Sequence, residues 1–474
     1  MIALVTNWDA ESEPIKATVN QLIMLGFPFD AWESQTVSRA IPADLSRFDA
    51  LLIDGERFRE CTPEEEKRLE EFARTRFLHI ISAGYIQGTQ CDNEYRSEID
   101  LNLFAAASGL PRPGMPPRST AEIMPWWLKR MEEFHQGCKH DFKHLHEYHL
   151  HSTAALLAAE ADGLLAPEWT RKINEILDSI VPLIHTPAYF DEVACWGFAR
   201  LAAQRCGHDA FLQRVKEKSE KMLAHLCRAD DGLLSMGGWP DDPLFLSHRD
   251  SYFYGNTLST TCWRNLHLNE GLHYYGSAFP ALSMATGDMR FLDEAMRILD
   301  HIDRIHRDPK DGLLRHASLH GKPLGEKWGR GNTHAMLGAF YMLLFNPDLP
   351  EDVRHRAIQF LDRTGDGLLR TQTEHGLWRN VLDHPETSEE SSCTVLITWI
   401  FAHGIRKGYF ARKKYLDMVT RSAQAIRGRI WRGLGAGNCR ATLPSPDLQF
   451  YVKRPQHIFF LPLCIPALTA VESL

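Results

Sequence analysis

The chain contains no Cys-x-x-Cys pair, and its 10 cysteines are scattered through 474 residues without regular spacing. That excludes a disulfide framework and a thioredoxin-type site, and reads as reduced thiols in a core. There is no Gly-x-Gly-x-x-Gly run, no P-loop and no Gly-x-Ser-x-Gly elbow. A dinucleotide enzyme, a P-loop NTPase and an α/β serine hydrolase are therefore not expected. Cationic excess is missing too: the formal net charge is -8, which argues against a nucleic-acid partner. No apolar run is long enough to cross a bilayer, so no membrane partner is expected. The opening MIALVTNWDAE has no basic segment ahead of an apolar one. The expected location is cytoplasmic, with a periplasmic one left open if a leader has been removed.

What is present is an ordinary globular composition, 44% hydrophobic and 24% charged, in a chain long enough for two or three domains. Residues 1–110 alternate strand and helix: Ile2 to Thr6, Ala50 to Ile53 and Phe77 to Ser82 read as strands. Glu13 to Leu25 reads as a helix, as does the stretch from Thr62-Pro63 through Ala73. This pattern implies a small parallel sheet. GLPRPGMPPRS, at 109–119, marks the boundary, with the linker at 111–119. From 120 to 474 the chain is nearly all helix. Asp-Gly-Leu-Leu recurs at 162, 231, 311 and 366, and Asp231, Asp311 and Asp366 are each expected to open a turn after a long helix. Repeated helix-turn-helix units that cannot bury their own faces must stack, here into a ring.

The stretch GLWRNVLDHPETSEESSCTVLITWIFAHGIRKG, residues 376–408, joins a loop rich in carboxylates to an apolar helix. That arrangement puts chemistry at a rigid helix N-terminus. Its loop offers Trp378, His384 and Glu390 as candidate substrate-binding residues.

The run G-L-W-x-x-V-L-D-x-P, then E-S-S-x-T, then a helix ending H-G-I-x-K-G, resembles the C-terminal half of the unsaturated glucuronyl and unsaturated rhamnogalacturonyl hydrolases. Trp328-Gly-Arg-Gly-Asn-Thr-His334 is similar to their W-x-R-G-N-G-W. The resemblance implies an (α/α)6 barrel in a mainly α chain, preceded here by the small α/β domain. It also implies an exo-acting hydrolase that releases a terminal, 4,5-unsaturated glucuronic acid residue from uronic-acid-containing oligosaccharides. In that route an acid protonates the double bond, water adds at C5 and the hemiketal falls apart. The phrase LLIDGERFREC through HIISAGY resembles glutamine-amidotransferase-like domains, but no Cys sits in the expected elbow, so that domain is expected to be non-catalytic, with a structural role or a role in forming a homo-oligomer.

The same resemblance supplies site residues. Counting seven back from Pro280, the family's catalytic Asp falls on His273, with Glu270 three residues earlier on the same helical face. Asp191 or Glu192 occupies the context of the family's second Asp. Arg330 and Asn332 match the motif directly, and a guanidinium suits a uronate carboxylate. His334 stands where the family has Trp, while Trp328 and Trp378 are candidate stacking platforms. With His at the Asp position, an exo-β-glucuronidase acting on saturated uronides and a non-catalytic carbohydrate-binding scaffold remain as alternatives. The cluster His144, His146, His149 and His151 has a spacing at which at most some rings converge on a helix. No metal and no cofactor are expected.

Overall fold

The computed structural model describes residues 2–5, 37–38, 40–48, 50–54, 57, 60–73, 77–81, 119–138, 146–181, 193, 196–225, 228–234, 265–387, 389–429, 437–439, 444–452, 457–459 and 462–474. The expected helix from Glu13 to Leu25, the stretch 109–118 and the candidate carboxylates Asp191 and Glu192 lie outside the described residues.

The N-terminal strands β1 (Ile2–Val5), β2 (Val37–Ser38), β3 (Ala50–Asp54) and β4 (Phe77–Ile81) form a parallel sheet in the order β2-β1-β3-β4. Helix α1 (Pro63–Ala73) begins at a reciprocal cap. The Glu65 amide donates to the Thr62 hydroxyl, and the Thr62 amide donates to the Glu65 carboxylate. Leu69 and Phe72 of α1 pack on Val5, Leu51 and Ile53, a small core of its own.

The rest is helical: α2 (Thr120–Cys138), α3 (His146–Ala161), α4 (Glu168–Ile180), α5 (Ala199–Cys206), α6 (Asp209–His225), then β5 (Leu266–Leu268), α7 (Asn269–Thr286), α8 (Arg290–His301), β6 (Ala317–Leu319), β7 (Lys322–Leu324), α9 (Gly329–Phe345), α10 (Glu351–Thr371), β8 (Trp378–Arg379), β9 (Glu389–Glu390), α11 (Ser391–Arg406), α12 (Arg412–Arg429), β10 (Gly437–Cys439), α13 (Leu448–Val452), β11 (His457–Phe459) and α14 (Cys464–Glu472). Outer and inner helices alternate along the chain. Contacts run α5–α7–α9–α11–α14–α3 on the inside, with α2, α4, α6, α8, α10 and α12 outside. This is an (α/α)6 barrel.

Sequence dictates which helix goes where. α4 carries Trp169, Ile173, Ile176 and Leu177 as one buried stripe, and α8 likewise buries Phe291, Leu292, Ala295, Met296 and Leu299. Such helices pack on one side and meet water on the other. α7, α9 and α11 are apolar or small all round and are buried on nearly every face. α7 and α9 touch through glycine. A Cβ on Gly276 would lie 3.1 Å from the Gly338 carbonyl oxygen, and a Cβ on Gly338 would collide with the Leu272 carbonyl. The two backbones meet with no side chain between them.

The Asp-Gly-Leu-Leu turns form at 162, 231 and 311, where Gly163, Gly232 and Gly312 take left-handed φ values of 68°, 78° and 77°. The fourth copy differs from expectation. Asp366 and Gly367 lie inside α10, and Gly367 is needed for another reason: a Cβ there would meet the Asp311 carbonyl oxygen and Leu313, both at 2.6 Å. The turn expected at Asp366 is made instead by His375-Gly376, with Gly376 at φ 83°.

Replacing Gly338 by Ala forces α7 and α9 apart, and overpacking of this kind costs roughly 1–3 kcal/mol. A lowered urea midpoint with retained helical circular dichroism is expected; an unchanged midpoint would show that the two backbones do not touch.

Candidate active site

Three inner helices begin at one mouth of the barrel. A Cβ on Gly329, the first residue of α9, would lie 3.1 Å from Cys393 Sγ of α11. One on Gly331 would lie 3.5 Å from Asn269 Nδ2 of α7. A short extended segment leads into each helix: β5 into α7, β9 into α11, and Trp328, bridged to Val381, into α9. The second residue of each helix is therefore equivalent: Glu270, Arg330 and Ser392. Unpaired amides at such helix starts favour negative charge.

Glu270 Oε1 lies 3.1 Å from His334 Nδ1 and 3.6 Å from His316 Nε2. Burial alone would raise its pKa, but the contacts and charges of His316 and His334 outweigh that, and the carboxyl is held well below its ordinary range. The proton on His316 is placed by Tyr451. Its phenolic oxygen accepts from the amides of Glu326 (3.1 Å) and Ser445 (3.3 Å) and lies 3.0 Å from His316 Nδ1. With its acceptor capacity taken, the phenol donates to Nδ1, so Nε2 carries the hydrogen that faces Glu270. Arg330 Nε donates to His334 Nε2 at 3.2 Å, which leaves the His334 proton on Nδ1, also facing Glu270.

Glu390 sits one residue before α11. Its Oε1 accepts from the Ser392 hydroxyl, and its Oε2 is buried with no hydrogen-bond partner among the described residues. Burial pushes its pKa up to about 7, against the Ser392 hydrogen bond and the opposing charges of Arg330 and His334. One mouth thus holds a carboxyl kept ionised, a carboxyl whose pKa is pushed up to about 7 so that it keeps much of its proton near neutrality, and a guanidinium linked to the first through His334.

The other sequence candidates fall in different places. His273, in the position of the expected acid, lies one turn below Glu270 inside the barrel and is 0% exposed. It stacks between His151 and His334 at centroid distances of 5.4 and 5.3 Å. Asp191 and Glu192, the candidates for the family's second Asp, lie outside the described residues. Asn332 is fully buried and clamps the Leu314 backbone, accepting from its amide and donating to its carbonyl, so it holds a turn instead of facing a ligand. Trp378 offers no free face either: it is fully buried, with its indole donating to the Leu368 carbonyl. Trp328 is 3% exposed, donates to Asn380 and packs against His316. His384 is half-buried and pairs with Glu386 at 3.0 Å. His316, Tyr451 and Ser392 were not singled out in the sequence. Ser392 alone had a visible signal, in the E-S-S run. His316 and Tyr451 meet across 135 positions.

Further imidazoles lie beside α7. His306 Nδ1 is 2.8 Å from Asn269 Oδ1, and His306 Nε2 and His301 Nε2 both reach Ser318 Oγ, at 3.0 and 2.8 Å. Burial, with mutual repulsion, lowers His306 well below its ordinary pKa and His301 to about 4; burial also lowers His267.

The sequence profile of Glycosyl Hydrolase Family 88 matches residues 187–458. No curated protein matches the chain in sequence. Among solved structures, a Klebsiella pneumoniae protein described as a possible member of family GH105 superposes with a TM-score of 0.59 at 16% identity, covering 77% of this chain and 95% of that one. A similarly described Salmonella enterica protein gives 0.57 at 16%, covering 77% and 96%. A family 88 glycosyl hydrolase from Bacteroides vulgatus gives 0.52 at 14%, covering 75% and 99%.

A carboxyl with a raised folded-state pKa binds a proton more tightly folded than unfolded, so its penalty is absent below the unfolded value of 4.5, grows as pH rises through about 7, and is constant above. Glu390→Gln is therefore expected to stabilise the protein at pH 8 by up to roughly 3 kcal/mol relative to its effect at pH 4. Thermal midpoints of both proteins at the two pH values test this. An equal effect at both would show that Glu390 titrates normally.

Proposed function

We propose, from the premise that this chain belongs to Glycosyl Hydrolase Family 88 and is a glycoside hydrolase, that it is exo-acting and releases a terminal 4,5-unsaturated glucuronic acid residue from uronic-acid-containing oligosaccharides. The observation that supports this is the opposite protonation of two buried carboxyls, Glu270 low and Glu390 near 7, at one mouth with Arg330. Acid and base roles are assigned where environments push two pKa values apart.

In this reading Arg330 takes the uronate carboxylate as a charge-assisted pair. Glu390 donates its proton to C4, the C4=C5 electrons form the new C–H bond, and the charge left at C5 is shared with the ring oxygen. Water attacks C5 while Glu270 accepts its proton, assisted by His334 and His316, which hold that carboxylate in place. The resulting hemiketal opens by breaking the bond between C5 and the ring oxygen, giving a C5 ketone and a C1 hemiacetal. The hemiacetal collapses to the aldehyde, breaking the bond from C1 to the glycosidic oxygen, and the remaining oligosaccharide leaves as an alcohol that takes up a proton. His273 stiffens the wall behind His334. The same pair favours a second reading, an exo-β-glucuronidase: with a saturated uronide, Glu390 would protonate the glycosidic oxygen and Glu270 would activate water.

Incubation with unsaturated and saturated glucuronyl disaccharides separates the two readings. Loss of the double-bond absorbance, with no product from the saturated sugar, is expected. Product from the saturated sugar alone selects the second reading. Glu270→Gln and Glu390→Gln should each lower kcat about 10²–10⁴-fold, the range for general acid–base groups. Arg330→Lys should mainly raise KM, by a loss of ~1–3 kcal/mol in binding. Turnover near wild type in both carboxyl variants would remove the assignment.

A further inference from the structure

We propose that Asp231, His267 and His301 form a binding site for a divalent metal ion of the zinc class. The site is distinct from the carboxyl pair and does not depend on the reaction proposed for it. Each residue offers one donor atom, and the three atoms lie within 4.8 Å of one another. Asp231 Oδ2 is 3.3 Å from His267 Nε2 and 3.6 Å from His301 Nδ1. Around tetrahedral zinc, with bonds of about 2.0–2.2 Å, donor atoms sit roughly 3.3–3.6 Å apart. Two imidazoles and a carboxylate are a donor set that zinc takes with a water in the fourth position. The Asp231 side chain is 40% exposed, which leaves that position open to solvent.

The rings are aimed by groups behind them. His301 Nε2 is 2.8 Å from Ser318 Oγ, which turns Nδ1 toward Asp231. His267 makes a backbone hydrogen bond with Leu234, and its strand partner is Ser318. Such outer contacts set the tautomer and orientation of metal-binding histidines. Local backbone serves the same end: a π-helical turn, Ile302–His306, follows α8. It brings His301 and His306, five residues apart, onto the one hydroxyl of Ser318. Turns of this kind occur frequently at functional sites.

The barrel's own repetition gives the strongest argument. Three turns have the same construction. The amide before each turn bonds across it at 2.8 Å: Ala229 to Leu233, Asp308 to Leu313, Thr373 to Leu377. In each, a turn residue pairs with the residue two places before the next inner helix. At the second turn Asp311 pairs with Lys327, a built-in cation also held by Asp308 and Asp383. At the third the carboxylate stands on the helix side instead, with Glu389 Oε1 2.9 Å from His375 Nδ1 of the turn. At the first turn Asp231 pairs with no lysine among the described residues. His267 stands in the place of Lys327, and His301 supplies a second nitrogen. A metal cation bound there would play the part Lys327 plays one repeat on, tying the turn after α6 to β5 and the end of α8. Through Ser318, His306 and Asn269 it would also brace the start of α7, next to Glu270.

The experiment uses the full chain, stripped with chelator, and zinc chloride as the probe in calorimetric titration and thermal melts. One saturable zinc per chain and a raised thermal midpoint are expected. Asp231→Asn and His301→Ala should each weaken binding at least about 100-fold, and Ser318→Ala about 10–100-fold, the range for outer contacts. Metal-free circular dichroism of each variant establishes that it is folded. Cys206→Ser, which breaks the other group of metal-type donors, Asp178, Cys206 and His208, should leave binding unchanged. No saturable binding, or undiminished binding in folded Asp231→Asn, would make the cluster an ion pair only. Loss of binding in Cys206→Ser instead would place the zinc at the other group; either result overturns the proposal.

Discussion

The site rests on one steric constraint, the direct contact between the backbones of α7 and α9 at Gly276 and Gly338. Any side chain there would push the helices apart. Because both helices are rigid and buried along their length, their spacing at the glycines sets the spacing at their starts, where Glu270 and His334 approach to 3.1 Å. A second contact, between Gly329 and Cys393, ties α9 to α11 at the mouth and brings Glu390 into the electrostatic reach of Arg330. Interiors this dense transmit small displacements, so the chemistry of the mouth depends on side chains that are missing deeper in.

Repetition explains how such a mouth is built. Three inner helices, α7, α9 and α11, are each entered through a short extended segment, and the same positions recur: a residue two before the helix that pairs with the preceding turn, then the second helical residue. The first position ties each turn to the helix that follows it, and the second holds Glu270, Arg330 and Ser392. Glu270 and Arg330 differ in charge yet occupy equivalent positions one repeat apart, and His334 lies between them. The two carboxyls then diverge through their surroundings. Glu270 faces two imidazoles, whereas Glu390 is buried with one oxygen on the Ser392 hydroxyl and the other without a hydrogen-bond partner among the described residues.

Much of this was legible in the sequence because periodicity is local. The helices over 120–225, the capped helix after Thr62 and the strands at Ala50 and Phe77 follow from apolar spacing and cap residues within a few positions. Register was harder. Counting from Pro280 put the acid at His273, but Pro280 lies inside α7, and it is distance from the helix start that decides what reaches the mouth. A repeated tetrapeptide carried two meanings: glycine allows left-handed φ at 163, 232 and 312, but allows close approach at 367. An aromatic's identity does not say whether its face is covered, so Trp378 read as a platform and is core. His316 and Tyr451 meet only after the barrel closes, and no local pattern announces a contact of that range.

The central claim is that one mouth holds one carboxyl ionised and another that titrates near neutrality. Carbon-13 NMR of glutamate-labelled protein, titrated from about pH 4 to pH 8, observes this directly, with Glu270→Gln and Glu390→Gln to assign the signals. The account predicts a carboxyl that titrates near 7 and vanishes in Glu390→Gln, and another that is already ionised at the acid end and vanishes in Glu270→Gln. Both carboxyls titrating together in the ordinary glutamate range would contradict it.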